Sequence, residues 1–367
     1  MADGQRQVCV WREELLPGSE TFIANQISAM RRWLAVLSGV RRCSSTLAVT
    51  PDFTVQGNPA LSHRVDRRLY WQLGTSIRLH RHLRSTSLVH AHFGPDGTRL
   101  ARASWLARRP LVVTFHGYDA TTPQTTLGVD YSPLFHKAAR LVAVSKFIRS
   151  KLVEAGAPEG KIAVEPIGIP VGPDSPRRGP GKHLLFVGRL IASKGCADLL
   201  EALSGMSDAP PLLIVGDGPQ RAELERLAEQ RRVEASFVGA REPQYVKNAM
   251  AASIALCLPS RTEGLPTVCL EAAAARLPVV SYPAGGIPEA VVEGETGLLG
   301  PVGDTRVLAG HLTRIISDGD LAARFGGAGR RMVETQFDIR KRTARLEQLY
   351  DEVVADGVED GVRSRPD

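Results

Sequence analysis

Two carboxylates set apart the stretch LCLPSRTEGLPTVCLEAAAARLPVV (256–280): Glu263 and Glu271, with seven residues between them. A strand reads as ending near Pro259, and a helix as starting near Pro266, where a first-turn proline fits. Glu263 then stands in the loop, Gly264 and Leu265 lead into the helix, and Glu271 lies one turn inside it. The amides of Thr267 and Val268 open the helix without intrahelical partners and can bind an anion, helped by the helix dipole. Carboxylates accept hydrogen bonds from sugar hydroxyls. Anion-binding amides flanked by two carboxylates suit a nucleotide sugar; two solvated glutamates at a helix end would give the same pattern.

Three other strand ends carry similar chemistry. In LLFVGRLIASKG (184–195) a strand ends at Val187, Gly188 allows a turn, and Arg189 and Lys194 follow before a helix near Gly195. An arginine fork and a lysine point charge suit a diphosphate, or are two ordinary surface cations. In LLIVGDGPQRAEL (212–224), Gly216, Asp217 and Gly218 form a GxG, but position 221 is Arg, so the dinucleotide fingerprint is incomplete. In LVVTFHGYDATT (111–122), His116 and Asp119 stand where a sugar hydroxyl or an acceptor could be met; a structural core histidine is the alternative. Gly18 and Ser19, in LLPGSETFIANQ, precede a helix and could offer amides to phosphate or acceptor, or Ser19 could simply cap it. His90 and His92 share a strand face, but no carboxylate-rich ligand set accompanies them, and no metal is expected. There is no Gly-x-Ser-x-Gly element and no P-loop, so hydrolase and NTPase readings lack support.

All these residues follow short, continuous apolar runs typical of parallel strands buried on both faces. Strand-like runs occur at 7–11, 45–49, 88–93, 111–117, 140–145 and 162–168, then at 183–188, 211–216, 235–239, 254–259 and 277–283. Helical patterns such as 221–232 and 266–277 lie between them, which predicts an α/β protein with parallel sheets. A chain of 367 residues suggests two domains. The Pro- and Gly-rich stretch 171–182 reads as the linker, and the chain beyond about 304 reads as helical. No apolar run approaches the length of a membrane span. The five cysteines read as reduced residues of a cytoplasmic protein. Net charge is +7, with 22 Lys and Arg against 12 Asp and Glu in residues 1–170. This basic half suggests an anionic partner, with clusters at Arg31-Arg32, Arg41-Arg42, Arg67-Arg68 and Arg78-Arg81-Arg84. Few aromatics accompany the arginines, which argues against nucleic acid.

FVGRLIASKG, VGDGP, FVGA, LPSRTEGLPTVCLEAAAARLPVVSYPAGGIPEAV and ETGLLGPVGD, in this order, resemble family 4 retaining glycosyltransferases of the GT-B fold. PGSETFI, VHAHFGPDG and VVTFHGYDA resemble the bacterial exopolysaccharide, colanic-acid-type branch. The resemblance spans about residues 8–355. It implies two Rossmann-like domains with parallel sheets facing across a cleft: an acceptor-side domain at 1–170, a nucleotide-sugar domain at 183–337, and a last helix at 338–358 crossing back to the first domain. It also implies that Arg189 and Lys194 hold the donor diphosphate and Glu271 the ribose. Glu263, with the amides of Gly264, Leu265, Pro266 (which has none), Thr267 and Val268, would hold the donor sugar and phosphates. His116 would touch the transferred sugar, and Gly18 would allow close approach to the phosphates. The family usually needs no bound metal or cofactor beyond the donor. The expected acceptor is a saccharide or lipid-linked glycan, with peripheral contact to an anionic membrane at the inner face. A soluble natural-product acceptor, or a catalytically silent sugar-nucleotide binder, are the alternatives. Two positions depart from the pattern: Ile167-Gly168 replaces the usual Asn-Gly, and Gly18-Ser19-Glu20 replaces a double Gly.

Overall fold

The computed structural model describes residues 5–17, 20–43, 49–56, 61–173 and 181–363. The chain divides into two units, Met1–Gly168 with Ile339–Asp367, and Ile169–Asp338. Residues 174–180 of the expected linker lie outside the described residues.

The first unit is built on a parallel seven-stranded sheet in the order β3-β2-β1-β4-β5-β6-β7. Its strands are β1 Gln7–Leu15, β2 Leu34–Arg42, β3 Phe53–Thr54, β4 Leu88–His92, β5 Leu111–Phe115, β6 Arg140–Ala143 and β7 Ile162–Val164. Every residue of β4 and β5 is buried, as the continuous apolar runs require when helices cover both faces. The long final helix, Ile339–Arg363, belongs to this unit. Its Leu346, Leu349, Tyr350 and Val353 join Val8, Trp33 and Leu88 in one core cluster. Glu347, 2% exposed, accepts hydrogen bonds from the backbone amides of Arg31, Arg32 and Trp33 at 2.8–2.9 Å. That one carboxylate ties the helix to the turn preceding β2.

The strand β2 is absent from the sequence reading, which placed a strand at 45–49 instead; positions 44–48 lie outside the described residues. Ser38 and Gly39 interrupt the apolar run of β2 and hide it. Gly39 is required by packing, since a Cβ there would stand 2.1 Å from the carbonyl of Arg12 on β1.

The second unit has a parallel six-stranded sheet in the order β10-β9-β8-β11-β12-β13. The strands are β8 His183–Val187, β9 Leu212–Val215, β10 Ala235–Phe237, β11 Ser253–Leu258, β12 Val279–Ser281 and β13 Gly297–Leu299. Both sheets are Rossmann-like: the strand order reverses at β1/β4 in the first unit and at β8/β11 in the second. A crevice at the carboxyl ends of the strands flanking such a reversal is where doubly wound sheets take ligands.

Candidate active site

At the β8/β11 reversal the sequence brings two loops together. After β8, the chain passes Arg189 and Lys194 before the helix Cys196–Ser204; after β11, it passes Arg261 and Glu263 before the helix Thr267–Ala274. Backbone contact fixes the approach. Gly195 has φ +70°, and a Cβ on it would lie 1.9 Å from the carbonyl of Pro259. The Arg261 amide donates to the Ser193 carbonyl at 2.8 Å. Asp198 adds a side-chain tie, accepting from Arg261 Nη2 at 2.8 and 3.0 Å and from the Tyr282 hydroxyl at 3.2 Å. The loop after β9 joins them: Gly216 has φ +141°, with a would-be Cβ 1.9 Å from the Gly188 carbonyl. Gly188 itself has ordinary room for a Cβ, so the steric demand falls on its neighbours.

Lys194 Nζ donates to Glu263 Oε1 at 2.5 Å, with the two side chains 25% and 11% exposed. Among the described residues no side chain or amide bonds the carboxylate of Glu271, half-buried in the helix, and burial pushes its carboxyl up to about 7. Burial also raises the thiol of Cys269, with Glu263 and Glu271 pushing it further and Lys194 opposing. All three charges therefore act on the Cys269 thiol, which lies on the same helix as Glu271. The Thr267–Ala274 helix has no side-chain N-cap. Arg189 is exposed and bonded to none of these three; Asp217 is exposed and accepts from the Gly218 amide and Arg221.

At the first unit's sheet edge, His116 follows β5 and lines a crevice with Phe22, Gln26, Glu165 and Arg342. Its Nε2 is 3.0 Å from Nδ1 of His92, and its ring lies against Phe22 and Phe93, centroids 4.7 and 4.6 Å away. Burial, with the positive field of neighbours including Arg12, holds both imidazoles well below their usual range and therefore neutral. Asp119 is fully buried. Its oxygens accept from the amides of Gly94, His116 and Gly117 at 2.8–3.0 Å, clamping the turn after β4 to the turn after β5. Burial pushes its carboxyl to about 6, with the three amides opposing. Gly18 and Ser19 lie outside the described residues.

Beneath the His116 crevice lies a network that sequence reading missed. Arg12 bridges Glu20, through Nε at 3.0 and 3.1 Å and Nη2 at 2.9 Å, and Asp96 at 2.7 Å. Its guanidinium also lies 4.5 Å from the Phe93 ring. Phe93 has φ +71°, a strained conformation for a non-glycine residue that the surrounding contacts must hold. Among the described residues no group of three or more His, Cys, Asp or Glu is placed to hold a metal; His90 instead bonds the Tyr350 hydroxyl and Thr114 Oγ1.

Comparison with known proteins decides the family. Residues 18–172 match the model for Glycosyltransferase Family 4, and residues 173–332 the model for Glycosyl transferases group 1. A GDP-mannose-dependent alpha-(1-6)-phosphatidylinositol monomannoside mannosyltransferase of Mycolicibacterium smegmatis is 30% identical over 68% of this chain and 73% of its own. The chain is a family 4 glycosyltransferase. The amylovoran biosynthesis glycosyltransferase AmsK of Erwinia amylovora is also 30% identical, over 67% of this chain and 65% of its own. The glycosyltransferase shares its fold with Anabaena Alr3699/HepE, solved with UDP and glucose: TM-score 0.79, 20% identity, covering 94% of this chain and 99% of that one. Both units of the glycosyltransferase thus have the Rossmann-like construction of the GT-B fold. The signals that could have exposed the Arg12 network were weak. Arg12 and Glu20 are eight positions apart, but Asp96 is distant in sequence, and only the β1/β4 pairing brings it close.

Proposed function

We propose that this glycosyltransferase moves a sugar from a nucleotide-diphosphate donor to an acceptor hydroxyl with retention at the anomeric carbon. The observation that carries the reading is the Lys194–Glu263 bond at the strand-order reversal of the second unit, with Glu271 on the helix that follows it. Lys194 and Arg189 supply positive charge to the diphosphate as it leaves, the role a metal plays in other transferases. The free amides of Thr267 and Val268 add helix-end donors to the same phosphates. Glu271, desolvated and without a recorded protein partner, accepts the ribose hydroxyls, and Glu263 orients the donor sugar. Gly188, Gly216 and Asp217 shape the floor of this subsite. His116 is the group assigned to the transferred sugar. The departing diphosphate takes the acceptor proton on the face it leaves, which places the new bond on that face. A relative named for amylovoran biosynthesis and a neighbour bound to UDP and glucose support a nucleotide-sugar donor and a saccharide acceptor. A relative named for GDP-mannose shows that the family's base varies.

The acceptor is proposed to be presented at an anionic membrane surface, and one segment of the first unit supports this. Residues 61–110 hold ten arginines and only two acids, Asp66 and Asp96, both buried. Trp71, Ile77 and Trp105 stand 53%, 63% and 66% exposed on the helices of the same segment. Exposed tryptophans among basic side chains suit a lipid headgroup boundary. Some arginines are paired: Arg78 with Asp66 and Arg99 with Glu13 in this segment, and Arg32 with Asp351 and Arg41 with Glu14 outside it, so their charge is partly offset. No helix among the described residues is long and apolar enough to cross a membrane.

The test is the product. Incubation with the matching donor and acceptor should give a product whose anomeric ¹H coupling matches the donor's configuration, in the presence of EDTA. An inverted anomer would overturn retention; loss of transfer in EDTA, restored by Mg²⁺, would overturn the role given to Lys194 and Arg189.

A further inference from the structure

We propose that the cleft at the C-terminal ends of the helices Gly94–Ala107 and Ser132–Lys137 binds the phosphate of an anionic lipid headgroup through Arg108, Arg109 and Lys137. This rests on the membrane reading of the acceptor and names one lipid site within it.

The cleft has a volume of about 230 Å³, and its lining includes Ser104, Trp105, Arg108, Arg109, Leu111 and Lys137. Sites for drug-sized ligands run to roughly 300–1,000 Å³, so this one suits a phosphate headgroup better than a nucleotide sugar. Leu111 opens β5, which puts the cleft at the amino edge of the sheet; His116 follows the same strand at its carboxyl edge. A ligand held here meets none of the groups assigned to sugar transfer.

Three cations line the cleft without an acid. Among the described residues no carboxylate forms an ion pair with Arg108, Arg109 or Lys137, and none lines the cleft. Basic side chains at helix C-termini ordinarily bond the last carbonyls and offset the dipole. Other groups do that work at both helix ends here. The carbonyls of Ser104 and Trp105 accept from the amides of Arg108 and Arg109, and the Ser104 hydroxyl donates to the Arg109 carbonyl at 2.7 Å. At the second helix, Lys161 Nζ donates to the carbonyls of Phe135, His136 and Ala138 at 2.8–3.0 Å. The ammonium that caps this helix is therefore that of Lys161, and the exposed Lys137 is left over. Arg109 is anchored through Nη2, which donates to the Arg84 carbonyl at 2.8 Å. One guanidinium thus has a fixed place, with the exposed side chains of Arg108 and Lys137 beside it. Uncompensated like charges repel, and a phosphate relieves that repulsion while offering oxygens to the arginine forks and the lysine.

Trp105 selects the source of the phosphate. It lines the same cleft and is 66% exposed. A free phosphate ester gains little from an indole at the rim. A headgroup in a bilayer brings its glycerol and first acyl carbons against that ring, at the depth indoles favour.

Vesicle binding at fixed salt is the test, with neutral phosphatidylcholine vesicles and the same vesicles containing phosphatidylglycerol. Wild type should bind only the anionic ones. Arg108→Gly with Lys137→Gln should weaken that binding at least about tenfold. Glycine suits position 108, whose φ is +54°, so the fold is kept; thermal melting checks it. Arg64→Gln with Arg102→Gln removes the same charge from exposed positions of the same segment and should cost less than about threefold. Equal losses in the two pairs would mean diffuse attraction and overturn the site. Trp11 and Trp33 are buried, so in Trp71→Phe the exposed indole is Trp105. Brominated lipid should quench its emission in vesicle-bound protein; bound protein with unquenched Trp105 would overturn the proposal. Calorimetric titration with glycerol 3-phosphate should show no saturable binding at this cleft; binding lost in the Arg108→Gly, Lys137→Gln pair would make a soluble ester the occupant and overturn the lipid. Wild type that binds neither vesicle would sink the membrane reading together with this site, whereas wild type that binds while the Arg108, Lys137 pair binds equally well would sink the site alone.

Discussion

Lys194 Nζ lies 2.5 Å from Glu263 Oε1, a bond between loops 69 positions apart in sequence. The pair holds a cation at the carboxyl edge of β8 and orients the carboxylate beside it. In the function proposed above, a donor diphosphate would share that cation.

Lys194→Ala should therefore lower kcat about 10²-fold or more, the usual cost of removing one group that stabilises charge developing in a transition state. Arg189→Ala should cost about tenfold, since its exposed guanidinium contributes a single charge-assisted contact. Steady-state kinetics, with circular dichroism as the control for folding, checks both. Near-normal turnover in the lysine variant would remove it from the diphosphate site.

Glu271 gives a pH prediction with a definite sign. Its carboxyl is raised to about 7 in the folded protein. Stability linked to this group is present below the unfolded value near 4.5 and is lost as pH rises through 7. Glu271→Gln should then be more stable to unfolding than wild type at pH 8, by on the order of 2 kcal/mol, and the gap should close near pH 4. Ribose hydroxyls select the ionised form, so nucleotide affinity should fall up to tenfold per pH unit below 7 in wild type. In the Gln variant it should be weaker and nearly flat. Calorimetric titration at pH 6 and 8 measures this.

Asp119 ties two turns together. Asp119→Ala leaves three buried amides without an acceptor and should cost about 3 kcal/mol in urea unfolding. Because one of those amides belongs to His116, activity should fall in the fraction that remains folded.

The arginine-rich face predicts salt-sensitive binding to vesicles. Wild type should sediment with phosphatidylglycerol vesicles and not with neutral ones, and binding should fade as salt screens it. Replacing Arg67, Arg68 and Arg81 by Glu should abolish the binding, and Trp71→Ser with Trp105→Ser should weaken it. Equal binding to both vesicle types would contradict a specific anionic surface.

Much of this was legible before any coordinates. Parallel strands buried on both faces show as continuous apolar runs, and chemistry at their ends follows from the topology. Residues carried by one local motif, such as Glu263 and Glu271, could be placed from spacing alone. The unread features depend on pairing between distant segments. β2 was concealed because Gly39 answers to Arg12 on the neighbouring strand, not to a local pattern. The Arg12–Glu20–Asp96 network and the His92–His116 contact exist only once β1, β4 and β5 are side by side. Motif position does not reveal which way a short carboxylate turns: the three amides within 3.0 Å of Asp119 come from two different turns.

In the proposed function the second unit holds a nucleotide-diphosphate sugar through Lys194 and Glu271. Calorimetric titration of the whole protein with UDP-, GDP-, ADP- and dTDP-sugars reads this binding. Saturable binding of at least one donor is expected, weakened at least tenfold in Lys194→Ala and in Glu271→Ala. Equal affinity in both variants and wild type, or no binding of any donor by a folded wild-type protein, would contradict it.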